Sequence, residues 1–136
     1  MKCAMLFGAL LCLAALPLAA QDPVKVDPKH YKVELENAQV RVLRIHYGPH
    51  EKSVMHSHPN LVVIPLADSR VRFTTPDGKV QERELKANVP AWEAAGIHNP
   101  ENLGDKPIDA ILVELKGTAA APAKTPPPPP KKKSTM

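Results

Sequence analysis

Histidine is the residue type in this 136-residue sequence whose spacing most clearly indicates chemistry. His56 and His58 are separated by one residue, and on a β-strand residues two apart point to the same face. Their ring nitrogens can then lie close enough to share one metal ion. His98 follows forty residues after His58, at the edge of another strand segment. His30 and His46 have no such spacing, and we predict that they are ordinary surface or strand residues.

Short strands must position these histidines, because the middle of the chain lacks a long run of apolar residues at helical spacing. Residues 31–36 alternate apolar and charged side chains, as a half-buried strand does. Pro76-Asp77-Gly78 predicts the tight turn of a hairpin. The predicted strands are 31–36, 39–47, 56–58, 61–66, 70–75, 79–85, 89–92 and 108–115. They indicate an all-β sandwich or barrel, and closure into a barrel is favoured because exposed strand edges are costly.

The histidines and their surroundings resemble the two sequence motifs of the cupin superfamily. In the first motif a glycine precedes His-x-His, and a glutamate and a second glycine follow. Here Gly48 precedes His56-Ser57-His58, and the apolar segment 61–66 follows. The second motif has a histidine and, after three further residues, an asparagine, which matches His98 and Asn102. The resemblance covers about residues 40–115 and implies a small double-stranded β-helix, or jelly-roll, barrel with a metal in its interior.

The resemblance also implies the metal ligands, and one of the usual four is missing. His56, His58 and His98 are the expected ligands, whereas the glutamate position of the first motif falls on Val62, which cannot bind a metal. Three neutral imidazoles leave the charge of the ion uncompensated and leave an open face for water, dioxygen or an anionic substrate. We expect a divalent ion, and Fe, Zn, Mn, Ni and Cu all remain candidates.

Two classes of function fit these residues. In the first, the domain is a metal-dependent enzyme, such as a small-molecule oxygenase, with Glu93 as the candidate catalytic residue. In the second, it is a non-catalytic ligand-binding or structural barrel without metal, in which the histidines are packed polar residues. Glu93 and His50 are also candidates for a substitute fourth ligand. A small-molecule ligand or substrate is the expected partner, and a homodimer is expected by analogy with other cupin-like barrels.

The two ends of the sequence differ in composition from the middle. Residues 1–20 combine an early lysine, a short apolar run and small residues, which predicts a cleaved signal peptide and not a membrane span. Residues 117–136 include five consecutive prolines and three lysines, which predicts a disordered tail. Residues 21–116 remain as one cupin-like domain. We therefore expect an exported protein, either periplasmic or secreted.

Charge and cysteine content narrow the functions of that domain. Five of the 18 basic residues lie in the two ends, which leaves 13 basic against 14 acidic residues in the domain. The high pI therefore gives little support to nucleic-acid binding, and we predict no nucleic-acid partner. Both cysteines, Cys3 and Cys12, fall in the predicted signal peptide. The mature chain would then have no thiol for a disulfide, a metal ligand or a nucleophile.

Overall fold

The computed structural model describes residues 21–117, so the predicted signal peptide and all but the first residue of the predicted tail lie outside the described residues. This part of the chain forms one short helix, α1 (Pro23–Val26), and nine strands. The strands are β1 (Tyr31–Glu36), β2 (Val40–Tyr47), β3 (His56–His58), β4 (Leu61–Pro65), β5 (Ser69–Thr74), β6 (Val80–Leu85), β7 (Ala91–Glu93), β8 (Gly96–Asn102) and β9 (Ile108–Leu115). No helix within residues 21–117 is long and apolar enough to cross a membrane.

The strands form two antiparallel sheets. One has the order β1-β2-β9-β4-β7 and the other the order β3-β8-β5-β6. Most neighbours in each sheet are distant in sequence, so the chain crosses repeatedly between the sheets, as it does in a double-stranded β-helix. The predicted all-β jelly-roll fold is therefore confirmed.

The predicted strand bounds agree closely with the structure wherever turn residues mark the ends. β1, β3 and β9 have the predicted bounds, and β2, β4 and β6 differ by one residue at one end. β5 is shifted by one residue at both ends, and β7 begins two residues later and ends one residue later than the predicted strand 89–92. Gly78 adopts a positive φ of 81° in the hairpin between β5 and β6, a backbone conformation that glycine tolerates best. β8 was not predicted as a strand, because its Asn99-Pro100 pair is unfavourable for strands.

A bulge in β1 changes which of its side chains face the interior. Tyr31 pairs with Ile45 and is buried, but the register shifts between Val33 and Leu35. Leu35 pairs with Val42 and is 52% exposed. The alternating pattern favours one buried face for Tyr31, Val33 and Leu35. For Leu35 this is wrong because one extra residue in a bulge reverses the direction of the side chains that follow. Val33 precedes the bulge and pairs with Leu43, but it is 43% exposed on β1, which is an edge strand.

The apolar core lies between the inner faces of the two sheets. It consists of nine buried side chains: Tyr31, Leu43, Tyr47, Leu61, Val63, Val71, Ile108, Ala110 and Leu112. The register aligns Leu43, Leu112, Val63 and Ala91 in one row across four adjacent strands. Seven polar residues are also buried, so the structure places polar groups beside the core: Asp27, His30, Ser53, His56, His58, Asn102 and Glu114.

Candidate metal centre

Strands β3 and β8 bring the three motif histidines together. His56 and His58 are both buried on β3, with Ser57 between them on the other face. The antiparallel register pairs His56 with His98, so the imidazole from β8 lies beside the two from β3. One potential ligand nitrogen from each ring lies within 4.8 Å of the other two. This group could hold a metal ion, and its members are those that the sequence indicated.

Hydrogen bonds to the outer ring nitrogens orient two of these imidazoles. His56 Nδ1 donates to the Val54 carbonyl oxygen at 2.8 Å, and His58 Nδ1 donates to Glu114 Oε1 at 2.6 Å. The Nε2 atoms of the two rings therefore carry lone pairs when the rings are neutral, and they lie 3.1 Å apart. Two nitrogens that bind one tetrahedral zinc ion at 2.0–2.1 Å are about 3.4 Å apart. The donor set therefore fits a divalent cation.

Burial keeps two of the histidines in the neutral form that binds metals. Burial, together with repulsion from His58, lowers the pKa of His56 from 6.5 to about 4. Burial, followed by repulsion from the other two histidines and Arg83, lowers the pKa of His98 to about 3. At neutral pH both rings therefore have an unprotonated nitrogen, and neither ring must lose a proton before it binds a metal.

Glu114 is a functional candidate that the sequence analysis missed. The residue is 1% exposed, and its carboxylate bonds to His58 through Oε1 and to Arg41 Nε through Oε2, each at 2.6 Å. Although desolvation raises the pKa of Glu114, the hydrogen bonds from His58 and Arg41 outweigh it and hold the pKa below its ordinary value. The period-two pattern of β9 could have indicated this position, because Ile108, Ala110 and Leu112 are buried on the same face.

Val62, the position of the missing motif glutamate, has its side chain on the outer face of β4. Leu61 and Val63 are buried on the inner face of β4. The residues on either side of Val62 therefore point to the interior, and Val62 does not. Neither inner position is a carboxylate. β4 therefore supplies no metal ligand, whereas Glu114 lies opposite Leu61 on the adjacent strand β9.

Two buried tyrosines extend the hydrogen bonding of the site. The Tyr47 hydroxyl donates to the Tyr31 oxygen at 2.6 Å, which directs the Tyr31 proton toward His56 Nε2 at 3.0 Å. Burial and the neighbouring Tyr47 raise the pKa of Tyr31 well above its ordinary value, so the phenol stays a neutral donor. The aromatic spacing in the sequence gave no signal for this pair.

His30 is buried, so the prediction that it is an ordinary surface or strand residue is wrong. Its Nδ1 contacts Asp27 at 2.7 Å, its Nε2 contacts Glu51 at 3.0 Å, and its ring stacks on Tyr47 at 4.3 Å between centroids. Asp27 also accepts a hydrogen bond from Ser53, which contacts His56 Nδ1 at 3.3 Å. His46 is an exposed residue of β2, as predicted.

The two proposed substitute ligands lie outside the histidine group. His50 is in an exposed loop, where its Nε2 contacts Asp105 at 2.8 Å. Glu93 lines the same cavity as His58 and His98, but Arg83 binds its carboxylate. Neither Glu93 nor His50 belongs to the group of close ligand atoms. The Asn102 side chain bonds to the Gly48 and Lys106 carbonyl oxygens and the Gly104 amide. It therefore holds two loops together.

A cavity of about 80 Å³ opens beside His58 and His98. Its walls are mostly apolar and include core residues from both sheets, and Glu93 and Glu101 are its charged lining residues. Representative apolar lining residues are Ile45, Leu61, Val63, Val71, Phe73 and Leu112. The cavity is small and apolar, so it suits a small molecule that places one polar group next to the imidazoles.

The fold and the position of the histidines define a small domain of the cupin superfamily. The structure is similar to the crystal structure of a cupin domain from Bordetella pertussis Tohama I, with a TM-score of 0.60 and 25% identity over 64% of this chain and 92% of that chain. It is also similar to an uncharacterized conserved protein with a double-stranded β-helix domain from Klebsiella pneumoniae. That comparison has a TM-score of 0.53 and 24% identity over 66% of this chain and 78% of that chain. No protein-family model matches the sequence, and a search of curated proteins returned no match.

Proposed function

We propose that this cupin domain binds a divalent metal ion through His56, His58 and His98 and holds a small, mainly apolar molecule beside it. The observation that carries the proposal is the pair of Nε2 atoms of His56 and His58, which face each other at 3.1 Å while both Nδ1 atoms donate elsewhere. Without a metal, the His56 Nε2 lone pair accepts a hydrogen bond from the Tyr31 hydroxyl, and a cation would bind both Nε2 lone pairs and release that hydroxyl. An all-imidazole set suits zinc, copper, iron or nickel better than the harder ions.

A divalent ion in this site would act as a Lewis acid toward a polar group of the bound molecule. The residues of the chain supply the rest of the environment. The apolar cavity walls exclude water from the molecule, and the neutral Tyr31 hydroxyl lies 3.0 Å from His56 Nε2, where it can donate a hydrogen bond to an oxygen of that molecule. Tyr47 keeps the Tyr31 proton directed toward the site.

A non-catalytic ligand-binding barrel is the second candidate, and the state of the nearby carboxylates favours it. Glu114 is bonded on both oxygens, Glu93 is paired with Arg83, and Glu101 is paired with Arg72 at 3.5 Å. None of the three is a free carboxylate base beside the histidines, and general base catalysis requires such a group within hydrogen-bond reach. An enzyme of this design would therefore depend on Tyr31 or on release of Glu93 from Arg83.

Metal analysis of the full-length protein tests the proposal. We expect about one equivalent of a divalent metal to bind tightly to the wild type, as a single three-histidine site requires. The His56→Ala variant should lose it. His46→Ala is the matched control, because His46 is exposed and hydrogen-bonded to Asp109 away from the site. Equal metal content in the wild type and His56→Ala, with both proteins folded by circular dichroism, would refute the proposal.

We also propose that the protein is exported, on the basis of the apolar segment 1–20, which lies outside the described residues. Fractionation of cells that express the full chain should find it in the periplasm or medium, shortened by about 20 residues. Retention of the full-length chain in the cytoplasm would contradict export and leave the metal proposal unaffected.

A further inference from the structure

We infer that Glu114 is the positioning residue of the three-histidine site, and that it supplies from β9, through His58, the negative charge that β4 does not provide. The inference rests on the proposed metal binding and extends it to a residue outside the cupin motifs. Its basis is the juxtaposition of a fully buried carboxylate with the outer nitrogen of one candidate ligand.

The contact orients His58 in one way. Glu114 Oε1 accepts a hydrogen bond from His58 Nδ1 at 2.6 Å, and an ionised carboxylate can only accept. The proton of the neutral ring must therefore be on Nδ1, and the Nε2 lone pair points to His56. Carboxylate partners of this kind fix the tautomer of a metal-binding histidine and increase its basicity.

The charge of Glu114 reaches the site from the strand next to the expected one. Glu114 lies directly opposite Leu61, the first inward-facing residue of β4 after His58. Within residues 21–117 it is the one carboxylate that bonds to a member of the histidine group. The charge is thus hydrogen-bonded to the outer nitrogen of a candidate ligand ring, where it offsets part of the charge of a divalent cation without occupying a coordination position.

Arg41 holds Glu114 in place. Its Nε donates to Glu114 Oε2 at 2.6 Å, and its Nη1 donates to Asp22 Oδ2 at 2.7 Å. Asp22 in turn accepts a hydrogen bond from the Val24 amide at the start of α1. The chain of charges from Asp22 through Arg41 to Glu114 carries a net charge of −1, and it prevents Glu114 from turning away from His58.

Substitution of Glu114 by glutamine in the full-length chain tests the inference, because it removes the charge and keeps the shape. Glu36→Gln is the matched control, since Glu36 is an exposed carboxylate of the same sheet that pairs with Lys116. Competition with a chromogenic chelator measures the affinity for Zn²⁺. We expect Glu114→Gln to bind Zn²⁺ about 10–100-fold more weakly than the wild type, and Glu36→Gln to bind it equally.

Two spectroscopic measurements extend the test. In the metal-free wild type, ¹⁵N NMR of the histidine rings should find His58 protonated on Nδ1, and this result does not depend on any variant folding. The visible absorption bands of the Co²⁺-loaded protein should be the same in the wild type and Glu114→Gln at saturation, because Glu114 lies outside the coordination sphere. A His58 proton on Nε2, or different Co²⁺ bands, would overturn the inference.

The outcomes separate this inference from the proposed function. If the wild type and Glu36→Gln bind no metal, the proposed function fails and the inference fails with it. If both bind Zn²⁺ and folded Glu114→Gln binds within twofold of them, only the role of Glu114 is refuted. Weaker binding with the expected tautomer and unchanged Co²⁺ bands supports both.

Discussion

Metal-free protein should lose about 4 kcal/mol of folding stability between about pH 7.5 and pH 5.0, because His56 and His98 cannot take up protons in the folded state. Their pKa values are about 4 and about 3 in the fold, against 6.5 ordinarily. Between about pH 7.5 and pH 5 the unfolded chain takes up a proton at each of these histidines, and the folded chain takes up almost none. Stability is therefore nearly complete above about pH 7.5 and falls as the pH is lowered toward 5.

The magnitude follows from the protons that the unfolded chain gains. At pH 5.0 a histidine with a pKa of 6.5 is almost fully protonated, and this lowers the free energy of the unfolded chain by about 2 kcal/mol. Two such histidines give about 4 kcal/mol, because both remain neutral in the fold at this pH. Carboxylates such as Glu114 titrate below this range when unfolded, so they add little to the change above pH 5.

Urea denaturation of the EDTA-treated full-length protein at several pH values measures this loss. The His98→Gln variant should lose about half of the pH dependence, about 2 kcal/mol, because one of the two neutral imidazoles is gone. His46→Gln, which changes an exposed histidine, should keep the pH dependence of the wild type. A free energy of unfolding that stays constant or rises down to pH 5 would refute the burial argument for these two rings.

Three further results are expected. Leu43→Ala should lower the free energy of unfolding in urea by about 2–5 kcal/mol, because Leu43 is fully buried at the centre of the core; a loss below about 1 kcal/mol would contradict this packing. Tyr31→Phe should leave Zn²⁺ affinity within about threefold of the wild type. It should weaken the binding of a small oxygen-containing ligand by roughly tenfold, which is the effect of losing one hydrogen bond. Equal ligand affinity of the two proteins by calorimetry would exclude the donor role of Tyr31. Zn²⁺ at about 100 times its dissociation constant should raise the free energy of unfolding of the metal-free protein by about 2.7 kcal/mol, and His56→Ala should show no such gain.

The sequence predicted the parts of this fold that depend on local patterns. Period-two alternation and turn residues set the bounds of β1, β3 and β9, and the spacing of His56 and His58 correctly placed both rings on one face. These features depend on neighbours within a few residues, which is the range over which backbone geometry fixes side-chain direction.

The features that the sequence did not predict depend on which strands become neighbours. Glu114 reaches His58 because β9 lies beside β4, and Tyr31 reaches His56 across the interior from another sheet. His30 is buried because Asp27 and Glu51 surround it, an arrangement that no local pattern indicates. The bulge in β1 is a single-residue irregularity, and it reversed the predicted direction of Leu35.

The polar groups buried in the interior lower the folding stability of the domain. Because packing does not account for them, they favour a binding role for the site. His56, His58, Glu114 and Arg41 occupy space that apolar side chains of similar volume would fill with equal or greater stability. The described domain has no cysteine to offset this cost with a disulfide. The hydrogen bonds of the two Nδ1 atoms nevertheless favour binding, because Val54 and Glu114 engage the outer nitrogens and leave the inner nitrogens of His56 and His58 facing each other, with the Tyr31 hydroxyl beside His56 Nε2. Stability alone would favour a hydrogen bond between the two rings, whereas this arrangement brings two unprotonated nitrogens within 3.1 Å of each other, as binding a cation requires.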